Sequence, residues 1–289
     1  MELVIISAGL FILIIVVTAF STIKRPLKNQ LNRNPASAPL IIAHRGASGY
    51  CPENTMASCK KAVELGADYI EIDVQLSRDG YLVVIHDPTL ERTTNGKGYV
   101  RDYNFAELQQ LDAGSWFHPD FKKERIPSLE ELFDKVLPHT GLLIELKSPS
   151  LYPGIEKKLA ETIVKRNLHN GENPSIMVQS FDTASVKKFH SFLPSIPAGV
   201  LIKHNPAGIS ERKLKALSTF AQFVNPKQTM MNERLKERIH LNGMKAFTWT
   251  VNNEKQIQKF KKMNLDGIAT DFPDYLKKTH RLGSLKCRN

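Results

Sequence analysis

Eight short apolar runs recur along this chain, and segments of helical period lie between them. The runs are Leu40–Ala43, Tyr69–Leu76, Leu142–Leu146, Ile176–Gln179, Ala198–Ile202, Gln222–Val224, Lys245–Val251 and Gly267–Thr270. Parallel strands need a crossover long enough to hold a helix, so this alternation predicts an α/β fold with a parallel sheet. Eight units suggest a closed TIM (β/α)8 barrel, for which about 250 residues suffice. Helix signals fall in the gaps. One helix is expected to begin at Asn54 or Thr55 and stop at Gly66. A second begins at Ser128, where Glu131 completes a capping box. A third follows Asp182, which reads as its cap, and a fourth follows Asn252-Asn253.

A ninth apolar run, Leu82–Ile85, breaks the alternation. It follows Tyr69–Leu76 after a short turn containing Asp79-Gly80, so the two must be antiparallel. With Asp79-Gly80 as a two-residue loop, Asp73 falls opposite His86, and their Cβ atoms are expected about 5 Å apart. Residues 88–127 carry little periodic pattern and read as an insertion that lies over the barrel mouth.

The N-terminal part has a different character. Leu3 to Ile23 is 21 residues without a charge. At 1.5 Å per residue this spans about 30 Å, a bilayer core, so residues 1–23 are read as a transmembrane anchor. A cleaved signal peptide is disfavoured, because the first residues carry Glu2 and no lysine or arginine. The Ala36-Ser37-Ala38 triplet, which resembles a cleavage site, lies far from the apolar run. Residues 24–39 form a basic linker with Lys24, Arg25, Lys28 and Arg33. Residues 277–289 form a basic tail with Lys277, Lys278, Arg281, Lys286 and Arg288. These two flanks hold nine of the eleven net positive charges, which leaves residues 40–276 nearly balanced. Such flanks suit anionic lipid head groups, and the linker charges favour a single-pass protein with a cytoplasmic catalytic domain. No reading motif for nucleic acid accompanies the charge, so nucleic acid is not an expected partner. Cys51, Cys59 and Cys287 have no metal-type spacing and form no disulfide framework.

The chemistry-bearing residues cluster at strand ends. Glu71 and Asp73 are two apart in a strand and so share a face. Glu145 and Lys147 repeat the spacing on a later strand. Three carboxylates from two strands suit a hard divalent cation, Mg²⁺ or Ca²⁺. The same residues with Arg45 and Lys147 also suit a plain ion-pair network. His44 and His86 are a candidate acid–base pair for phosphoryl transfer. Arg45 and Lys147 offer positive charge to phosphate oxygens. Trp249 and Asp271 close two late strands, where barrel active sites lie, although Trp249 equally suits plain core packing. Gln179 ends another strand.

Together these motifs resemble the glycerophosphodiester phosphodiesterase family. The matching residues are His44-Arg45-Gly46, Pro52-Glu53-Asn54-Thr55, Glu71-Ile72-Asp73-Val74, Asp79-Gly80, Val84-Ile85-His86-Asp87, Glu145-Leu146-Lys147, Gln179-Ser180-Phe181 and Ile268-Ala269-Thr270-Asp271. The similarity spans about residues 40–275. It implies a TIM barrel with an insertion after the hairpin, a cation held by Glu71, Asp73 and Glu145, and acid–base roles for His44 and His86. Arg45 and Lys147 match phosphate-contacting positions, and Glu53 matches a buried polar position beside the site. The expected reaction cleaves glycerophosphodiesters to glycerol 3-phosphate and an alcohol. The rival readings are a lysophospholipase D, favoured by an apolar groove in 88–127, and a silent membrane-tethered binding protein. The head group and oligomeric state are left open by the sequence.

Overall fold

The computed structural model describes residues 38–169 and 175–276. The anchor, most of the linker and the basic tail expected from the sequence lie outside these residues. Among the described residues no helix is long and apolar enough to cross a membrane.

Eight parallel strands close into a barrel. They are β1 (Leu40–His44), β2 (Tyr69–Leu76), β4 (Gly141–Leu146), β5 (Ile176–Ser180), β6 (Ala198–Ile202), β7 (Phe223–Pro226), β8 (Lys245–Thr248) and β9 (Gly267–Thr270), with β3 (Leu82–Val84) added outside the ring. β1 pairs with both β9 and β2, which joins the two edges of the sheet. Between the strands run the helices α1 (Met56–Glu64), α2 (Phe105–Leu108), α3 (Leu129–Lys135), α4 (Ile155–Lys165), α5 (Thr183–Phe192), α6 (Glu211–Leu217), α7 (Glu233–Leu241) and α8 (Glu254–Lys262). The predicted caps are in place. Thr55 caps α1, Ser128 forms its capping box with Glu131, Asp182 accepts from the Ala184 and Ser185 amides, and Asn253 caps α8.

The strand alternation sorts the core into two parts. Outward residues such as Ile70, Ile72, Val74, Leu142 and Ile144 pack with the helices. Inward residues Leu40, Ile42, Tyr69, Leu143, Met177, Phe223 and Phe247 fill the lower barrel. Space there is tight. A Cβ on Gly199 would lie 2.0 Å from the Phe223 ring, so the missing side chain on β6 is what admits that ring. Further along the inward face of β2 the residue type changes from Tyr69 to Glu71, Asp73 and Gln75, and the barrel interior becomes a polar mouth.

Two expectations about the strands need correction. The hairpin register is one residue off: Val74 pairs with Val84 and Leu76 with Leu82, so Ile85 rather than His86 faces Asp73, and the Ile85 amide donates to the Asp73 carbonyl at 2.9 Å. The cause is the turn. A two-residue type I′ loop needs positive φ at both Asp79 and Gly80, whereas only Gly80 has it, at 80°. The loop instead holds Arg78, Asp79 and Gly80, closed by the Ser77 amide donating to the Tyr81 carbonyl. The run Lys245–Val251 also stops early as a strand, at Thr248. Beyond it the backbone crosses to its neighbours, with the Gln228 amide bonded to the Trp249 carbonyl and the Val251 amide to the Ala269 carbonyl.

Residues 88–127 contain α2 and two short 3₁₀ turns over a small apolar cluster of Leu90, Val100, Leu108, Ala113 and Ile126, packed on Val83 and Ile85. None of them lines the cavity at the barrel mouth, over which the sequence placed them.

Candidate active site

Each carboxylate at the mouth is held by an identifiable device. β1 ends in a turn where Arg45 adopts a left-handed backbone, φ 56°, followed by Gly46 at φ 80°. That conformation costs a non-glycine residue roughly 1 kcal/mol. It aims the Arg45 amide at Glu71 Oε2, 2.9 Å away, while the Arg45 carbonyl accepts from Asn54 and Ser58. Asn54 is also left-handed, φ 56°, a conformation that asparagine tolerates better than most residues. Its amide donates to Asp73 Oδ2 at 2.8 Å, and its carbonyl oxygen accepts the Asp73 backbone N–H. Glu145 lies on the adjacent strand, directly paired with Asp73 in the ladder.

Glu71, Asp73 and Glu145 are buried, and each offers an oxygen within 4.8 Å of the others. Two cations touch them. Lys147 Nζ is 2.7 Å from Glu145 and 3.6 Å from Asp73, and Arg45 Nε is 3.4 Å from Asp73. The ion-pair network left open by the sequence is therefore present, but it does not neutralise the cluster. Burial, then the Asp73 and Glu145 charges, pushes the Glu71 carboxyl well above the usual range. Burial and Asp73 push Glu145 up to about 7. Burial works against ionisation of Asp73 as well, yet Arg45, Lys147 and His86 hold it below the usual range. Three crowded hard oxygen donors that still lack positive charge fit a divalent cation.

Both histidines are oriented through Nδ1. His44 Nδ1 lies 2.7 Å from Asp271 Oδ1, and Ser48 hydrogen-bonds that same oxygen. Asp271 is further held by Asn252. His86 Nδ1 lies 2.6 Å from Asp87 Oδ1. A carboxylate on one ring nitrogen fixes the ring and leaves Nε2 for the ligand. Burial, with Arg45 and Lys147, lowers the proton affinity of His86 below its ordinary value, against the opposing pull of Asp73 and Asp87.

His86 and Asp87 lie past the end of β3, and two residues that the sequence reading did not single out hold them. Buried Gln75, third on the inward row after Glu71 and Asp73, donates its amide to the Ile85, His86 and Asp87 carbonyls at 2.8, 3.0 and 2.8 Å. The Tyr152 hydroxyl donates to Gln75 Oε1 at 2.5 Å and so fixes the orientation of the amide. Arg92, from the insertion, grips Asp87 at 2.5 Å and forks onto both Glu53 oxygens at 2.8 Å. Glu53 in turn accepts from Arg45 at 2.8 Å. The i, i+2 spacing from Asp73 was the one sequence signal for Gln75; Arg92 had none.

A cavity of about 560 Å³ opens over these groups. His44, Arg45, Glu71, His86, Glu145, Lys147, Gln179 and Trp249 line it, together with Phe181, Lys203 and Asn225. Asp73, Glu53, Asn54 and Asp271 stand behind, each bonded to a lining residue or to one that is. Gln179 accepts from Asn225, and the Trp249 indole N–H donates to the Asn225 carbonyl at 2.9 Å. Every candidate site residue read from the sequence is thus at one mouth.

Residues 44–275 match the family model described as the glycerophosphoryl diester phosphodiesterase family. The chain belongs to that family. It is accordingly a phosphoric diester hydrolase built on the family's TIM barrel. Over 236 residues it is 46% identical to YhdW of Bacillus subtilis (strain 168), covering 82% of this chain and 96% of that protein. It is 42% identical over 239 residues to a glycerophosphodiester phosphodiesterase of Caldanaerobacter subterraneus subsp. tengcongensis, covering 82% and 96%. Among solved structures, an Oleispira antarctica phosphodiesterase in complex with the product sn-glycerol-3-phosphate superposes with a TM-score of 0.76 at 30% identity, covering 84% of this chain and 97% of that one.

Proposed function

We propose that this family member hydrolyses glycerophosphodiesters to glycerol 3-phosphate and an alcohol, using a divalent cation and two histidines. The observation that carries the reading is the convergence, at one cavity, of the Glu71–Asp73–Glu145 cluster with two imidazoles each anchored through Nδ1. The product seen in the Oleispira antarctica relative supports the substrate class.

Glu71, Asp73 and Glu145 would hold the cation. When bound, such an ion polarises phosphate oxygens and lowers the pKa of a nearby hydroxyl. Arg45 and Lys147 place positive charge beside the phosphate oxygens. His86, favoured in its neutral form, takes the proton from the attacking hydroxyl through Nε2. As the bond from phosphorus to the leaving alcohol breaks, His44 donates a proton to the departing oxygen. Asp271 stabilises His44 while it carries that proton, and Asp87 does the same for His86 afterwards. The pair serves equally for a glycerol hydroxyl, which gives a cyclic phosphate that water then opens, and for direct attack by water.

A lysophospholipase D reading calls for an apolar groove from residues 88–127, and those residues do not line this cavity. The uncharged run 3–23 and its basic flank support a membrane-tethered form with the barrel on the cytoplasmic side. Protease accessibility of the barrel in intact cells tests that placement.

The activity is tested by glycerol 3-phosphate release from glycerophosphocholine, with and without a chelator. Full activity in chelator removes the cation from the mechanism. Absence of turnover on every diester, with Mg²⁺ and Ca²⁺ supplied, overturns the reading and favours a silent binding protein.

A further inference from the structure

Beyond the cation cluster and the histidines, the cavity has a second wall, built from the ends of β4, β5 and β6. It carries Lys147, Phe181 and Lys203. Lys147 Nζ stands 5.6 Å from the centroid of the Phe181 ring, and Lys203 Nζ stands 5.3 Å from it. The ring is braced edge-on by Trp249, with centroids 5.3 Å apart at 75°. An aromatic pair at the mouth of a phosphodiesterase invites a cation–π site for a quaternary ammonium head group. Here the ring already faces two protein ammonium groups, and a third cation would meet their repulsion.

Lys147 is committed to Glu145 and Asp73. Lys203 is exposed and, among the described residues, makes no ion pair. The carboxylate nearest in sequence on this wall is Asp182, whose Oδ1 is occupied in capping α5 through the Ala184 and Ser185 amides. The wall therefore presents a lysine that has no carboxylate partner among the described residues, and Ser148 and Ser150 line the same cavity.

Building on the reading of this cavity as a glycerophosphodiester site, we propose that Lys203 selects leaving alcohols that bear an anion, such as a phosphate monoester, over those that bear a quaternary ammonium. The glycerol phosphate half sits at the cation cluster between the histidines, and the alcohol extends along the β4–β6 wall. There Phe181 and Trp249 supply an apolar side, and Lys203 pairs with the substituent's charge. Lys203 acts on specificity and not on the bond-breaking step.

The test compares kcat/KM for three substrates that differ in the charge of the alcohol: glycerophosphoinositol 4-phosphate, glycerophosphoinositol and glycerophosphocholine. The expected order is anionic, then neutral, then cationic. Lys203→Glu should invert the anionic-to-cationic ratio. One exposed charge pair is weak on its own, but removal and reversal together should shift that ratio by about tenfold. The shift should shrink as salt is raised, because the pair is exposed. A ratio that Lys203→Glu leaves unchanged, with all three substrates still cleaved, overturns the specificity proposal alone. Failure of the parent enzyme to cleave any of the three instead overturns the substrate reading on which it rests.

Discussion

Gln75 donates to the backbone carbonyl of His86 at 3.0 Å, so a residue inside the barrel holds an imidazole carried by a segment outside it. Because the same amide also holds the carbonyls on either side, the backbone around His86 is fixed at three consecutive points. Gln75→Leu should lower kcat on the order of 100-fold, the scale for a misplacement of about 1 Å. Tyr152→Phe, which frees the Gln75 amide to turn, should produce a smaller loss of the same kind. Steady-state kinetics beside a melting curve checks this. A Gln75→Leu enzyme that stays folded with undiminished kcat would falsify the positioning role.

The acidic cluster predicts a specific binding behaviour. Asn54→Ala leaves all three carboxylates in place but removes both hydrogen bonds that orient Asp73. Loss of such a supporting partner typically weakens metal affinity about 10- to 100-fold. Calorimetric titration with Mg²⁺ and with Ca²⁺ reads the change directly. Equal affinity in parent and variant would remove Asp73 from the ligand set.

The pH dependence has a definite sign. A base works in its neutral form, so kcat/KM should fall as pH drops through the His86 pKa, which lies below the ordinary 6.5 because of burial and the nearby cations. Asp87 is held down to about 2, chiefly by Arg92 against burial, and therefore stays ionised across the whole limb. Asp87→Asn removes a partner that raises the proton affinity of His86. The acid limb should then move to still lower pH while the plateau drops through loss of ring orientation. A limb that moves toward alkaline pH would assign the titration to another group.

The lower barrel makes a prediction about stability alone. Gly199→Ala places a methyl 2.0 Å from the Phe223 ring. Overpacking of this kind costs about 1–3 kcal/mol. The denaturation midpoint should fall accordingly while activity per folded molecule holds. An unchanged midpoint would mean that the ring moves aside without cost.

The barrel was legible because its signal is repeated. Eight apolar runs with helices between them leave few alternatives, and Thr55, Ser128, Asp182 and Asn253 mark helix starts by local chemistry that tertiary contacts do not override. The carboxylates and histidines were legible for a related reason: their strand ends and i, i+2 spacing fix which face they share. The hairpin register was not legible. Asp-Gly suits both a two-residue and a three-residue loop, and the choice rests on the φ of Asp79, which its identity does not determine. Arg92 was hidden more deeply. Its grip on Asp87 and Glu53 depends on where an aperiodic segment returns, and nothing within that segment records the destination. Gln75 and Tyr152 lie 77 positions apart, and their contact exists only once the barrel has closed.

β2 is divided along its length. Its first residues pair with β1 and its last with β3, so the ring hands over one edge at the level of the mouth. The segment 88–127 leaves just beyond β3 and returns beside it, where the Pro127 carbonyl accepts from Val84 and Ser128 bridges to Val83. It begins and ends at nearly the same point, like a graft on a stem. Exchanging it for the equivalent piece of a relative would leave the eight-strand ring and its acidic cluster untouched. It would replace the apolar cluster packed on Val83 and Ile85, and Arg92 with the link it makes from Asp87 to Glu53. Such chimeras would separate what the barrel contributes to turnover from what its appendage contributes.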